Sequence, residues 1–404
     1  MPNFLYKAKS LQGEAHSGII EAKNKQMLAR NLRKQGYILI SAETSEQKKG
    51  KTLSFSIPGF GVKLSDKIFF ARNLQIMVSS GVSLPQALNT LSELVKNKKF
   101  SNSLLEIKRE IIRGKNFSTA LSDYPEIFSE LFCNMIRVGE EAGTLDQSLK
   151  ILTKQMEKNY ELKNKIKSAM IYPAVIVSAM LGVGILMLVI VVPKLAETFD
   201  ELGIELPLTT QLVIFLGTFL TEKWYLALLI ILVFAFLLFT ILKTKKGGKF
   251  FDKILLKIPI ISSLVKKTNS AYTVRTLGSL IASGVPITRS LNITSNSVGN
   301  FYYKKALKHI AEKVQKGSKI SEAIYSYKDI YPAIVVQMLK VGEETGETSE
   351  ILTKLADFFE KEVTRAAENM SAVIEPVLML IVGAAVGFFA VSMIQPMYSM
   401  LEGI

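Results

Sequence analysis

One cysteine, two histidines and one tryptophan in 404 residues leave little room for whole classes of chemistry. Cys133 alone cannot close an internal disulfide, which fits a chain facing a reducing compartment. His16 and His309 stand apart, so no zinc-type cluster can be assembled from them. No G-x-x-x-x-G-K-[ST] loop occurs, because Gly114-Lys115 and Gly247-Gly248-Lys249 lack the spacing that wraps a phosphate. G-x-S-x-G, H-E-x-x-H and C-x-x-C are missing too. No cofactor, no bound metal and no enzymatic activity are therefore expected. The first residues lack the apolar core of a signal peptide, so the N-terminus is expected to stay in the cytoplasm.

Acidic charge is scarce as well, and its placement is informative. The net charge of +15 divides into +7 over residues 1–65, +4 over 66–168, +9 over 243–370 and −5 over everything else. Three long apolar stretches carry no charge: Ala174–Val192, Tyr225–Leu242 and Val377–Gln395. The first and third are 19 residues long, about the length that crosses a bilayer. A basic surplus confined to one side of such segments is the positive-inside pattern. A nucleic-acid surface would also want interleaved aromatics, and no nucleic-acid partner is expected. With no charge at mid-membrane, an ion or proton path is not indicated. Glu375, at the inner mouth of the third span, reads as an interfacial group near lysine rather than a gating acid.

What the chain does have is a duplication. Val138-Gly139-Glu140-Glu141-Ala142-Gly143 returns as Val341-Gly342-Glu343-Glu344-Thr345-Gly346, an offset of 203 residues. Without a gap, the same offset pairs Arg72 with Arg275, Ser80-Gly81-Val82 with Ser283-Gly284-Val285, Gly114 with Gly317, Pro173 with Pro376 and Gly184 with Gly387. The period is too long for a solenoid unit and marks a duplicated domain ending in an apolar span. Two copies of one hand need a return helix between them, which is the role read for Tyr225–Leu242. These are parallel repeats, unlike the inverted ones common in transporters.

The fold class expected is mostly α: a polytopic membrane protein with two homologous cytoplasmic helical-bundle domains, three transmembrane helices and a small N-terminal α/β module. The division is a module over 1–42 with a turn at Gly13 and a helix capped by Asn24, then a flexible linker over 43–65. The first helical domain covers 66–170, the first span 171–193, and an extracytoplasmic loop with a short interfacial helix 194–224. The second span covers 225–242, the second helical domain 243–373, the third span 374–396 and an outer tail 397–404. Within the first domain, Ser83 caps one helix, Ser118 opens a short one, Ile127–Val138 forms another, and Thr144-Leu145-Asp146-Gln147 matches a capping box opening the last. Lysines before the first span, and Glu197, Asp200, Glu201 and Glu205 after it, orient it inside to outside.

The Gly-Glu-Glu-x-Gly stretch supports three readings. It is a tight helix–helix turn whose glycines supply unusual φ/ψ and whose carboxylate caps free N–H groups. It is also a candidate partner contact, or a hard-cation site of paired carboxylates. The second copy has Glu347-Thr348 where the first has Thr144-Leu145, so the two turns are not expected to be fully equivalent. In the spans, Ser178 with Gly182 and Gly383 with Gly387 are small residues four apart, the spacing that lets helix backbones approach.

The duplicated pattern R-x-L-x5-S-G-V … G-E-x-x-G followed by a span is carried by Arg72, Leu74, Ser80, Gly81, Val82, Glu140 and Gly143. It recurs in Arg275, Leu277, Ser283, Gly284, Val285, Glu343 and Gly346. Over essentially its whole length the chain resembles the inner-membrane platform family of type II secretion protein F and the type IV pilus platform protein. The resemblance implies a bacterial inner-membrane, multi-pass scaffold that couples a hexameric cytoplasmic assembly ATPase to the extraction of pilins or pseudopilins. Other inner-membrane assembly proteins and a homo-oligomer are implied as well. Type IV pilus assembly is the first reading and pseudopilus assembly in type II secretion the alternative. A small-solute transporter is the rival of a different class. Arg72, Arg275 and the residues Gly139, Glu140, Gly143, Gly342, Glu343 and Gly346 are the motif positions; Arg137 and Lys150, beside the first turn, are candidate docking charges for the ATPase.

The charge partition makes a topological prediction. An alkaline phosphatase fusion at residue 320 is expected to be inactive, and fusions at 198–206 or at the C-terminus active. Full activity at 320 would sink the three-span topology.

Overall fold

A computed structural model of the protein describes residues 3–10, 15–22, 25–34, 36–44, 61–201 and 206–402. The Gly13 turn, the Asn24 cap, most of the 43–65 linker and Glu205 lie outside them. The chain divides into two units, Met1–Gly61 and Val62–Ile404. In the first, β1 (Asn3–Ser10) pairs antiparallel with β2 (Ala15–Glu21) on one side and β3 (Tyr37–Thr44) on the other, with α1 (Lys25–Lys34) between β2 and β3 in sequence. Tyr6 and Ala8 alternate inward and meet Leu28 and Leu32 of α1, as a half-buried strand facing a helix requires.

The second unit is helical. Its first copy runs α2 (Leu64–Ser79), α3 (Leu84–Leu94), α4 (Lys98–Ile112), α5 (Phe117–Ser122), α6 (Glu130–Glu141) and α7 (Leu145–Ala169). Then come α8 (Ile171–Leu186), a π-helical turn (Met187–Val191), α9 (Val192–Glu201), α10 (Leu208–Glu222) and α11 (Trp224–Lys243). The second copy follows as α12 (Lys245–Lys257), α13 (Pro259–Ala282), α14 (Ile287–Ser297), α15 (Phe301–Gln315), α16 (Ile320–Tyr325), α17 (Ala333–Thr345) and α18 (Thr348–Glu402). The ends of α3, α4 and α5 fall on those of α14, α15 and α16 through the 203-residue offset, so the gapless repeat is a repeat of structure. Positive φ recurs in pairs at Gly81 and Gly284, Gly114 and Gly317, and Gly143 and Gly346.

Two local expectations are corrected. Among the described residues, neither Ser83 nor Thr144 makes a side-chain cap bond; Thr144 sits at φ −114°, ψ 43°, outside the extended geometry a capping box needs. Helix α6 starts three residues later than expected, because the Ser129 hydroxyl accepts from the Phe132 amide and sets the N-terminus there.

Among the described residues, three helices are long and apolar enough to cross a membrane: Leu145–Glu201, which takes in α7 to α9, Trp224–Lys243, and Thr348–Pro396 within α18. The chain is thus a mostly α, polytopic membrane protein. Helix α10 is apolar but only 15 residues long. It bridges the ends of two spans remote from the bundles. The Thr210 hydroxyl donates to the Ser392 carbonyl of α18. Seven residues on, a Cβ at Gly217 would stand 2.8 Å from the Leu188 carbonyl oxygen and 2.9 Å from a Val192 methyl. Leu188 corresponds to Val391 in the repeat, so both contacts lie at one depth.

The small-residue pairs of the spans make no close contact within the described chain. A Cβ at Gly182, Gly383 or Gly387 would meet no atom within 4 Å among the described residues, and the Ser178 hydroxyl turns back to the Ala174 carbonyl. Among these apolar helices, a close approach that needs a missing side chain is at Gly217.

Gly217→Leu is expected to destabilise the purified chain in detergent by about 2 kcal/mol or more, as overpacking does. Gly387→Leu should leave the monomer's thermal melt unchanged. Equal effects of the two would contradict this packing.

Candidate functional site

The repeated turn uses the same glycines in both copies, but its hydrogen bonds differ, since in the second the Thr348 hydroxyl donates to the Gly342 carbonyl at 3.0 Å. At the end of α6 the Thr144 amide donates to the Gly139 carbonyl at 2.8 Å and Gly143 takes φ 69°. Gly346 takes φ 76° at the corresponding place. A side chain in that left-handed region is strained, so glycine is required. Gly139 and Gly342 serve a different need. A Cβ on Gly139 would lie 2.6 Å from the Ser148 hydroxyl, and one on Gly342 would lie 3.1 Å from the Thr348 Cα. Each lets the outgoing helix fold back against the incoming one.

The glutamate between those glycines caps a different helix. Glu140 accepts from the Phe117 amide at 2.6 Å, the Ser118 amide at 3.1 Å and the Ser118 hydroxyl at 2.7 Å. Glu343 accepts from the Ile320 amide at 2.5 Å, the Ser321 amide at 3.1 Å and the Ser321 hydroxyl at 2.5 Å. Helices α5 and α16 are six residues each, too short to hold themselves, and lack a side-chain cap from their own N-cap residues. A carboxylate at a helix N-terminus satisfies otherwise unpaired N–H groups and meets the positive end of the dipole. The reading of the carboxylate as a cap of its own turn is corrected: it reaches back 22 and 23 residues. The hard-cation alternative loses its ligand, since both oxygens already accept from N–H and O–H donors.

The motif arginines pair with the last helix of each bundle. Arg72 Nε lies 2.9 Å from Glu157 of α7, and Arg275 Nε lies 2.8 Å from Glu360 of α18, the residue 203 further on. In the second copy Asp357 joins as a second partner, where the first has Lys154. Burial differs with it: the Arg72 side chain is 59% exposed, the Arg275 side chain 7%. Burial alone would lower the Arg275 pKa, but the hydrogen bonds it donates to Asp357 and Glu360 hold it above its ordinary value.

Between the copies the contact does not follow the repeat. Leu280, Val285 and Ile293 of the second enter the core of the first, while Leu162 of the first enters the core of the second. Arg289 donates to Asn134 at 2.7 Å, Asn296 to Glu130 at 3.0 Å, and Gln155 to the buried Thr276 hydroxyl at 2.8 Å. Where the bundles meet the spans, Ser371 donates to the Ala169 carbonyl at 2.7 Å and Tyr172 to Glu375 at 3.2 Å. Glu375 is therefore tied to the tyrosine at its own repeat position, and among the described residues it forms no ion pair with a lysine.

Among the described residues Arg137 and Lys150 share no hydrogen bond and neither enters an ion pair. Arg137 is half-buried on α6, near Cys133, whose thiol burial pushes up to about 11 although the guanidinium opposes the shift. Lys150 is exposed on α7.

The family model described as type II secretion system protein F matches residues 70–193 and again 273–396, and the model of that protein's N-terminal domain matches 1–43. The chain is similar to a type IV pilus assembly protein PilC of Myxococcus xanthus, 34% identical over 99% of this chain and 95% of that one. It is 34% identical to the PilC of Thermus thermophilus over 99% and 98%. It is 30% identical to the type II secretion system protein F of Xanthomonas campestris over the full length of both.

The two pairings differ enough to be told apart by substitution. Glu140→Ala or Glu343→Ala should each cost about 2–3 kcal/mol, because a charged acceptor is lost and two amides are left unpaired. Arg275→Ala should cost about 2 kcal/mol or more, because it empties a buried guanidinium site and leaves the part-buried Glu360 unpaired, and Arg72→Ala under about 1 kcal/mol. Unfolding of the purified full chain measures all four. Equal losses at Arg72 and Arg275 would contradict the burial difference.

Proposed function

The chain belongs to the type II secretion system protein F family, and on that footing we propose that it is the inner-membrane platform of a type IV pilus assembly machine. In this reading the two bundles and the N-terminal unit face the cytoplasm and the C-terminus faces outward. A hexameric assembly ATPase docks on the bundles, and the spans help to lift pilins out of the bilayer. The observation that carries it is the full-length likeness to pilus assembly proteins at 34% identity, joined to two basic bundles fixed to three spans. The 30% likeness to a secretion protein over the same length supports pseudopilus assembly as the second reading. The chain itself hydrolyses nothing in this scheme; the energy comes from the docked ATPase.

Arg137 and Lys150 are the docking charges in this proposal, and Glu140 contributes only by holding α5 in place. The bare faces of Gly182, Gly383 and Gly387 are available for a neighbouring copy or another assembly protein in the membrane, where small residues allow close approach.

Reversing charge at Lys150→Glu, alone and with Arg137→Glu, is expected to reduce capture of the assembly ATPase while the thermal melt of the single variant stays unchanged. Capture by the unaltered chain should weaken as salt rises through about 0.1 M, where the Debye length is about 10 Å. Undiminished capture by the double variant would remove these residues from the interface, and ATP turnover by the purified chain alone would overturn the scaffold reading.

A further inference from the structure

Helix α12 has a bare apolar face that neither bundle covers. At about 100° per residue, Phe250, Phe251, Ile254 and Ile258 share one side of it, and all four are exposed, Phe250 at 68%. Lys246, Lys249, Lys253 and Lys257, also exposed, follow one another at three- and four-residue steps along its edge. The opposite side faces the protein. Leu256 packs on the second core, and Asp252 accepts from the Phe301 amide at 2.7 Å, helping to cap α15. Three sides are thus distinct: protein-facing, lysine-lined and apolar.

What covers the apolar side follows from where α12 begins. The span α11 ends at Lys243 and α12 starts at Lys245, with Thr244 between them accepting from the Gly247 amide at 3.0 Å. The joint is a sharp bend. A Cβ on Gly247 would stand only 1.9 Å from the Ile241 carbonyl oxygen, so the first turn of α12 folds against the last turn of the span and only glycine fits. A helix of 13 residues, about 20 Å long, therefore leaves the bilayer sideways, with a lysine row beside phenylalanine and isoleucine. Lys243, whose ammonium lies 4.3 Å from the Phe239 ring centroid, already marks the level where the span meets its headgroups.

We propose that α12 lies in the plane of the bundle-side leaflet, with its Phe250, Ile254 and Ile258 face among the upper acyl carbons and its lysine row on the phosphates of anionic phospholipids. Amphipathic helices with a cationic rim bind this way, through buried apolar area together with attraction to acidic lipid. The second bundle is held by it, because Asp252 and Leu256 tie α12 to α15 and to the second core. In the first copy the positions matching Phe250, Phe251 and Ile254 are Gln47, Lys48 and Lys51, with Phe55 standing for Ile258, so the sequence does not repeat this apolar face.

The test uses the full chain in lipid nanodiscs. A fluorophore is attached at Ile254→Cys, and in a second variant at Phe250→Cys, with the buried Cys133 left in place. Lipids bearing a nitroxide just below the headgroup serve as quencher, and Trp224 in α11 reports that the spans are inserted. Both probes should be quenched, and a probe at Glu93→Cys on α3 should not. Quenching should rise when about one third of the lipid is phosphatidylglycerol and fall by about half or more in Lys246→Glu/Lys249→Glu/Lys253→Glu. Unquenched probes beside a quenched Trp224 would overturn the proposal. Quenching indifferent to both acidic lipid and charge reversal would overturn the phosphate assignment. Shielding that arises only when an assembly protein is added would give the face to a protein instead.

Discussion

Each copy of this protein shares its last helix between a water-facing bundle and the bilayer, and most of the architecture follows from that. In the second copy the helix runs from Thr348 to Glu402, 55 residues or about 80 Å, with two prolines inside it but no connecting loop. In the first, Leu145 to Glu201 forms one helical run, with a helix end at Met170 and a π-helical turn at Met187–Val191. In each copy the backbone thus passes from bundle to membrane as helix, without a loop between them. The Gly-Glu turn stands at the head of each such helix and fixes its direction by close packing at Gly139 and Gly342. The glutamate then fastens a short helix of the same bundle to that turn. The motif works as a joint between bundle and lever.

Running two such helices in the same direction has further consequences. A return span is required, and α11 serves as it without burying a residue against the rest of the described chain. Where the two levers meet, positions related by the repeat touch each other, Tyr172 with Glu375, as expected near a two-fold axis along the helices. Beyond that point the symmetry is lost. The bonds from Arg289 to Asn134 and from Asn296 to Glu130 would have to be echoed by Gln86 with Gln337 and Glu93 with Ala333. The second pair has no partner group. Sequence divergence at a few interface positions has let the second bundle lean on the first in one way only, and the buried Arg275 with its extra acid, Asp357, belongs to that more specialised second copy.

The duplication was legible to the residue, because a constant offset across Arg72 and Arg275, Gly114 and Gly317, and Pro173 and Pro376 leaves no room for an insertion inside the repeat. The spans were legible from charge-free length, and the left-handed glycines from their place after apolar helical patterns. What stayed hidden depends on partners distant in sequence. Nothing near Glu140 says that its carboxylate reaches Phe117 and Ser118, although a serine at 118 and another at 321, each 22 residues before the motif glutamate, are a signal that the repeat offers in hindsight. Gly217 is one apolar-helix glycine among several, and only the approach of Leu188 and Val192 singles it out. Thr144 has the residue types of a capping box, but the turn imposed by Gly143 places its backbone where the side chain cannot cap.

The central claim is that the two copies and their levers form one body that transmits motion as a unit. Spin labels at Arg113→Cys and Lys316→Cys, corresponding exposed positions at the ends of α4 and α15, measure it most directly in the full chain in nanodiscs. The buried thiol of Cys133, with its raised pKa, can remain. A single narrow distance distribution by pulsed electron resonance is the result this account predicts. A broad or two-peaked distribution would mean that the bundles move independently, and would contradict it.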